Sequence, residues 1–167
     1  MESVLADVVI AHDAVASSLQ MIPDATLDWL PENDWSLRQI IGHLAHANDF
    51  YVMIVDEART TQFQTVQLHS ELAGWQQMLA TNAQIDRCTT ALSVLACFDS
   101  TYQRMLNVFG SLRIEELDRP FVLCQPHAAP MTTTLRQRVI HMAAEHMQEH
   151  HVHLSTILTR WNIAMTR

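Results

Sequence analysis

The chain has 167 residues, of which 49% are hydrophobic and 17% are charged, and its formal net charge is −8. This length and apolar content suit one folded domain over residues 1–167 and exclude a disordered chain. The negative charge argues against nucleic acids and anionic membrane surfaces as partners.

Signals for export and membrane insertion are also missing from the sequence. No apolar run approaches the roughly 20 residues of a membrane span, and the opening MESVLADVV is acidic where a signal peptide is basic. Cys88, Cys97 and Cys124 are odd in number and have no C-x-x-C spacing, which is typical of reduced, inert thiols. We therefore expect a cytoplasmic protein.

The first half of the chain predicts two long helices joined by a loop. Apolar residues at three- and four-residue steps predict a helix over residues 2 to 21. IPDATLDWLPENDW, with two prolines and four acids, predicts a long connecting loop. Asp34 or Ser36 can cap the next helix, which runs through SLRQIIGHLAHANDFYVMIVDEA. Residues 60 to 82 are ambiguous between a short helix and an extended helical loop.

The second half predicts two more long helices and a second crossing. DRCTTALSVLACFDSTYQRMLNVFG predicts a helix that ends at Gly110. SLRIEELDRPFVLCQPHAAPM predicts an irregular crossing with at most one helical turn around Glu115. The last helix is predicted from near Thr132 to Thr134 to about Trp161. Four long helices with two long crossings predict an all-α four-helix bundle that is not simply up-down-up-down.

Five of the ten histidines lie in HMAAEHMQEHHVHL, residues 141 to 154. At about 100° per residue, His150 lies at the edge of the apolar stripe of the last helix and His146 lies roughly 40° beyond it. Two histidines one turn apart on a partly buried face commonly supply two metal ligands from one helix. The alternative is two rings that only pack and form hydrogen bonds.

The second helix offers a third imidazole in a similar position. His43 lies on the flank of the core-facing stripe, among Ala47, Phe50 and Ile54, whereas His46 is turned to the opposite side, where we expect solvent. Because His43, like the pair on the last helix, sits on an apolar flank, the pattern predicts that the three rings share one centre.

Two motifs resemble those of the DinB/YfiT-like proteins. DWSLRQIIGHLAHAN is similar to the Trp-Ser…Ile-x-x-His-Leu opening of their second helix, and VIHMAAEHMQEHHVHL is similar to the paired His-x-x-x-His of their last helix. The resemblance extends over essentially the whole chain. It implies an antiparallel four-helix bundle with long crossover loops and a divalent metal held by His43, His146 and His150. Zinc or nickel is the expected metal, with manganese or iron as alternatives.

The resemblance implies a metal-dependent enzyme that acts on a small-molecule substrate, by hydrolysis or by thiol-dependent transfer. Two departures weaken the transfer of a thiol-dependent activity. Many relatives carry an acid where this chain has His46, and many continue the last pair as His-Arg-Gly-Gln where this chain reads HHVH from His150. Relatives often form dimers, so a homodimer is expected.

Other functions stay open at this point. The chain could be a non-catalytic metal-binding or stress-response bundle, or a structural dimer whose histidines only pack. HMQEH also fits the H-x-x-E-H signature of inverzincin metallopeptidases, with Glu149 as the base. That function needs an acidic ligand further along, and none of the 17 residues after His150 is Asp or Glu.

No general base can be named from the sequence. Glu145 and Glu149 point roughly 100° or more away from the neighbouring histidines and are expected in solvent. Asn48 and Asp49 are candidates to accept the second N–H of a ligand histidine.

The remaining marked residues have structural interpretations. Trp35 is expected to anchor the start of the second helix. The other tryptophans, Trp29, Trp75 and Trp161, are expected in the core. Three further histidines, His12, His69 and His127, are expected on the surface.

Overall fold

The structure is a computed structural model that describes residues 2–69, 72–126 and 128–166. The predicted surface position of His127 therefore lies outside the described residues. The helices and strands follow one another in this order: α1 (Glu2–Gln20), a 3₁₀ turn (Asp24–Thr26), α2 (Leu37–Thr60), β1 (Thr65–Gln67), α3 (Ala73–Arg87), α4 (Ala91–Gly110), α5 (Ile114–Leu117), β2 (Phe121–Cys124), β3 (Met131–Thr133), a π-helical segment (Arg136–His141) and α6 (Met142–Met165).

The four long helices α1, α2, α4 and α6 form the predicted bundle. Helix α2 packs against both α4 and α6, and α1 packs against the same two helices. The first two helices therefore lie diagonally across the bundle, which confirms that the topology is not simply up-down-up-down. This arrangement places α2 beside α6, the two helices that carry the histidines of interest. Within the described residues, no helix combines the length and hydropathy needed to cross a bilayer.

Side-chain caps fix the starts of α2 and α4. Ser36 caps α2: its hydroxyl accepts from the Gln39 amide, and the Gln39 side chain accepts from the Ser36 amide. Thr90 and Ser93 form the same reciprocal arrangement at the start of α4. The third long helix therefore begins at Ala91, and the prediction that it includes Asp86 is wrong, because that residue belongs to the last turn of α3.

The ambiguous segment after α2 and the second crossing together contain a small sheet that the sequence did not predict. Strand β1 pairs in parallel with β2, with Val66 opposite Leu123. Strand β2 pairs antiparallel with β3, with Val122 opposite Thr132. Because Thr132 is in a strand, the last helix cannot start there, and the chain becomes helical only after Thr134. The helix also extends to Met165, beyond the predicted end.

Helix α3 approaches α2 closely at Gly74. A Cβ atom at this position would lie 2.7 Å from both the Cβ and the Cγ of Met53. We expect Gly74→Ala to destabilise the fold by about 1–3 kcal/mol, since this overlap outweighs the gain in helix propensity. Urea unfolding measures the effect. Gly110→Ala is the matched control, because a Cβ there meets nothing within 4 Å; equal stability of the two variants would contradict the close approach.

Glu116 of α5 makes the fold sensitive to acid. Its side chain is buried and accepts hydrogen bonds from the Arg59 guanidinium at 3.0 Å and the Arg113 amide at 2.8 Å. The Arg59 hydrogen bond is the main cause that lowers the pKa of Glu116 from 4.5 to about 2.

Because the folded pKa is the lower one, the contribution of Glu116 is complete above pH 4.5 and is lost as the pH falls towards 2. We expect it to be on the order of 2 kcal/mol. Urea unfolding of wild type and Glu116→Gln at pH 7, 4 and 3 measures it: the two proteins should converge in stability as the pH falls. A constant difference across this range would contradict the prediction.

Candidate metal centre

The rings of His43, His146 and His150 converge where α2 packs against α6. The Nε2 atoms of His43 and His146 are 2.9 Å apart, and one ligand nitrogen from each of the three rings lies within 4.8 Å of the others. Two nitrogens bound to one ion at about 2.1 Å are separated by roughly 3–4 Å. The spacing is therefore close to that of three ligands of one ion, and the structure brings together the three residues singled out in the sequence.

Burial keeps these rings neutral. All three are half-buried, and burial is the main cause that lowers the pKa of each of them, to about 4 for His146 and His150. The neighbouring imidazoles lower these pKa values further, because protonating one ring would place a positive charge beside the next. A neutral imidazole keeps the lone pair with which it binds a metal.

Trp35 covers the three histidines from the loop before α2. Its ring stacks on His150 at a centroid distance of 6.0 Å and meets His43 edge-on at 5.3 Å. Asp34 fixes this loop to α6: it accepts from His153 Nε2 at 2.6 Å and from Arg160 at 2.7 Å. The prediction that Trp35 only anchors the start of α2 is therefore incomplete. The ring is 42% exposed and also lies over the three histidines.

Two clefts meet at His43, and the second of them also reaches His146. The first cleft, of about 590 Å³, is lined by Trp35, His43 and His46 of the α2 region and by Asn82 and Ile85 of α3. The second cleft, of about 330 Å³, lies on the α6 side of His43 and His46 and is lined by side chains of both helices. A small molecule can therefore reach His43 from either cleft.

The two glutamates next to His146 and His150 in sequence are exposed, as predicted, and line the second cleft together with His146. Glu145 and Glu149 thus border the site without contacting it by hydrogen bonds. The third member of the histidine group is His43, from another helix, so the inverzincin interpretation, which requires an acidic ligand downstream, has no support in the fold.

Asn48 and Asp49 do not orient the three histidines. Asn48 donates to the Thr101 hydroxyl at 3.0 Å, and Asp49 accepts from Arg104 at 2.7 Å and from the Thr81 hydroxyl. Both side chains are directed towards α3 and α4, so the proposed orienting role is wrong. The position of a residue around the helix axis does not by itself show whether its side chain faces the histidines or faces α3 and α4.

Two histidine predictions were also wrong. His46 is half-buried against α3, where its Nδ1 lies 3.1 Å from the Asn82 side-chain nitrogen. His12 is buried, stacks on Tyr102 at 3.5 Å and contacts Asp99 at 3.0 Å. In both cases a second helix covers the face that was expected to be solvated. His69 is exposed, as predicted.

The cysteines and the other tryptophans lie apart from the two clefts. Cys97 is buried, and burial raises the pKa of its thiol, while Cys88 and Cys124 are half-buried. Trp29 and Trp75 pack against the core, as predicted, whereas Trp161 is half-buried and does not belong to this packing. None of these residues lines either cleft.

Comparisons with known proteins agree with this fold. Residues 9–154 match the DinB superfamily. Among solved structures, the chain is similar to YfiT from Bacillus subtilis, described as a probable metal-dependent hydrolase with an unusual four-helix bundle topology. The TM-score is 0.68 and the sequence identity 16%, over 96% of this chain and 87% of that one. No curated protein matches this sequence. The family match covers most of the chain, and this protein therefore belongs to the DinB superfamily.

Proposed function

We propose that the protein is a metal-dependent hydrolase of a small molecule, in which His43, His146 and His150 hold one divalent ion. The observation that carries this proposal is the convergence of three imidazole nitrogens within 4.8 Å of one another; one of the three residues, His43, lines both clefts. The similarity of the fold to YfiT, which is described as a probable metal-dependent hydrolase, supports it.

The donor set fits a divalent ion. Besides the three neutral rings, the Nδ1 atom of His150 is buried and has no hydrogen-bond partner. A buried polar atom without a partner costs free energy, which indicates that the protein alone leaves this group of rings incomplete. Three imidazoles suit zinc and nickel best and also accept iron, while manganese binds such ligands more weakly. We therefore propose zinc or nickel.

A divalent ion in such a site polarises a carbonyl group and lowers the pKa of water towards neutral. The chain supplies the other functions. Burial holds the three rings neutral, and Trp35 limits the access of bulk water to them. The carboxylates of Glu145 and Glu149, beside His146 in the second cleft, are placed to accept a proton from water.

The proposal is tested on protein purified without an affinity tag. We expect nearly one zinc or nickel ion per chain, and hydrolysis of members of a panel of small esters and amides. A chelator should abolish this activity, and zinc or nickel should restore it. Metal without turnover would instead support the non-catalytic metal-binding function, and protein that neither carries nor takes up a divalent ion would contradict both.

Trp35 gives an optical test of metal binding. Because its ring lies 5.3 Å from that of His43 and 6.0 Å from that of His150, we expect Ni²⁺ to quench its fluorescence strongly. In Trp35→Phe the remaining tryptophans should report a much smaller change. Titration of metal-free protein with nickel measures this. Equal quenching in both proteins would place the ion elsewhere.

A further inference from the structure

His46 borders the candidate metal centre without belonging to the group of three. It follows His43 by three residues on α2 and lines both clefts. Its ring is half-buried and is held by α3, where the Asn82 side-chain nitrogen lies 3.1 Å from Nδ1. Two helices therefore fix the position of this imidazole beside the histidine site.

The contact with Asn82 selects one form of the ring. The amide nitrogen of Asn82 is a donor, so Nδ1 of His46 accepts, and a neutral ring then carries its proton on Nε2. Burial lowers the pKa of His46, which favours the neutral ring. Within the described residues, Nε2 has no protein partner and is not among the buried unsatisfied atoms. An N–H donor is therefore available to a molecule in a cleft.

The larger cleft is suited to a molecule without negative charge. Arg38 reaches its wall, but Asp28 holds this guanidinium at 2.6 Å, and the carbonyls of Ile85 and Cys88 accept from it at 3.0 and 2.6 Å. Its charge is thus already matched by protein groups. The half-exposed Trp35 ring and Ile85 provide apolar surface. What this wall leaves free is a neutral donor next to apolar side chains, together with the exposed carboxylate of Asp86, which disfavours an anion.

We infer that His46 donates a hydrogen bond from Nε2 to the carbonyl oxygen of an uncharged ester or amide bound in the larger cleft, and that Asn82 is the positioning residue that fixes this donor. The inference rests on the proposed hydrolase function. The proton stays on the ring, and the hydrogen bond strengthens as negative charge develops on the oxygen during attack on the carbonyl. The apolar side of the substrate lies against Trp35 and Ile85.

The first test is independent of turnover. Nitrogen-15 NMR of the zinc-loaded chain distinguishes the protonated from the unprotonated ring nitrogen. We expect His46 to be protonated on Nε2, and Asn82→Leu to give a mixture of the two neutral forms. Acetanilide, an uncharged amide with an aromatic ring, should shift the Nε2 resonance saturably at millimolar concentration. A proton on Nδ1, or no shift with acetanilide, would overturn the inference.

The second test uses hydrolysis of p-nitrophenyl acetate by the zinc-loaded protein. We expect His46→Leu to retain zinc and to lower kcat about 100-fold, the effect of removing one donor to a developing oxyanion. His46→Gln, which keeps an N–H donor, should recover most of this loss. His69→Gln, an exposed histidine outside both clefts, is the matched control. Unchanged kcat in His46→Leu would overturn the inference.

The two tests separate this inference from the function on which it rests. If the wild-type protein binds zinc but hydrolyses nothing, the hydrolase proposal fails, and the acetanilide experiment alone decides whether His46 binds a carbonyl oxygen. If the wild type is active and His46→Leu is equally active, the hydrolase proposal stands and the role of His46 is wrong.

Discussion

His146→Ala is expected to weaken divalent-metal binding by more than about 100-fold, because loss of a supporting group beyond the ligands already costs 10–100-fold. The ring contributes a nitrogen 2.9 Å from Nε2 of His43, and two imidazoles cannot hold an ion as three do. Because desolvation lowers the pKa of His146 to about 4, no proton competes for its lone pair at neutral pH. The wild type therefore has a neutral imidazole at this position that the variant lacks.

Metal-dependent stabilisation measures this effect without reference to activity. An ion at 100 times its dissociation constant stabilises the folded protein by about 2.7 kcal/mol. The unfolding temperature of the wild type should therefore rise with added zinc or nickel, and that of His146→Ala should not. His141→Ala, which removes an exposed histidine of the π-helical segment, is the matched control and should behave as the wild type does. A similar response in His146→Ala would remove this residue from the site.

Arg104→Ala is expected to destabilise the fold by about 3 kcal/mol, because it leaves a buried carboxylate without its cation. The Asp49 side chain is 2% exposed and accepts from Arg104 at 2.7 Å. The Thr81 hydroxyl donates to its other oxygen, so the cluster joins α2, α3 and α4. The Arg104 side chain is 39% exposed, and water can enter when it is removed, which places the effect at the lower end of the range for buried pairs.

Urea unfolding of three variants tests this assignment. Asp49→Asn combined with Arg104→Ala replaces the buried charge by a neutral amide and should recover part of the lost stability. Arg136→Ala, which breaks the exposed pair with Asp118, should change stability little. If Arg104→Ala were as stable as Arg136→Ala, the Asp49 carboxylate would not depend on its partner.

The helical pattern was sufficient to predict the bundle and the histidines that meet inside it. Positions along a helix have fixed relative directions, so the apolar stripes of the second and last helices also locate His43, His146 and His150 on the flanks that face the core. Once α2 and α6 are neighbours, these rings have to lie near one another. Their role as metal ligands stays a prediction.

Other features depend on contacts between distant parts of the chain. Strand β1 is three residues long and pairs with β2 across more than fifty positions, so neither strand has a strong local signal. The direction of Asp49 depends on Arg104, and that of His46 depends on Asn82 of α3, a helix that the sequence left ambiguous.

The sequence by itself determined the helix class, the bundle and the histidine set, because each follows from the period of one helix and from the need to bury its apolar side. Only the tertiary structure decided the small sheet, the position of Trp35 over the site, and the placement of His46 between two clefts. The physical reason is that these features are fixed by hydrogen bonds and packing between segments far apart in the chain. Such contacts produce no periodic pattern in the sequence of either segment.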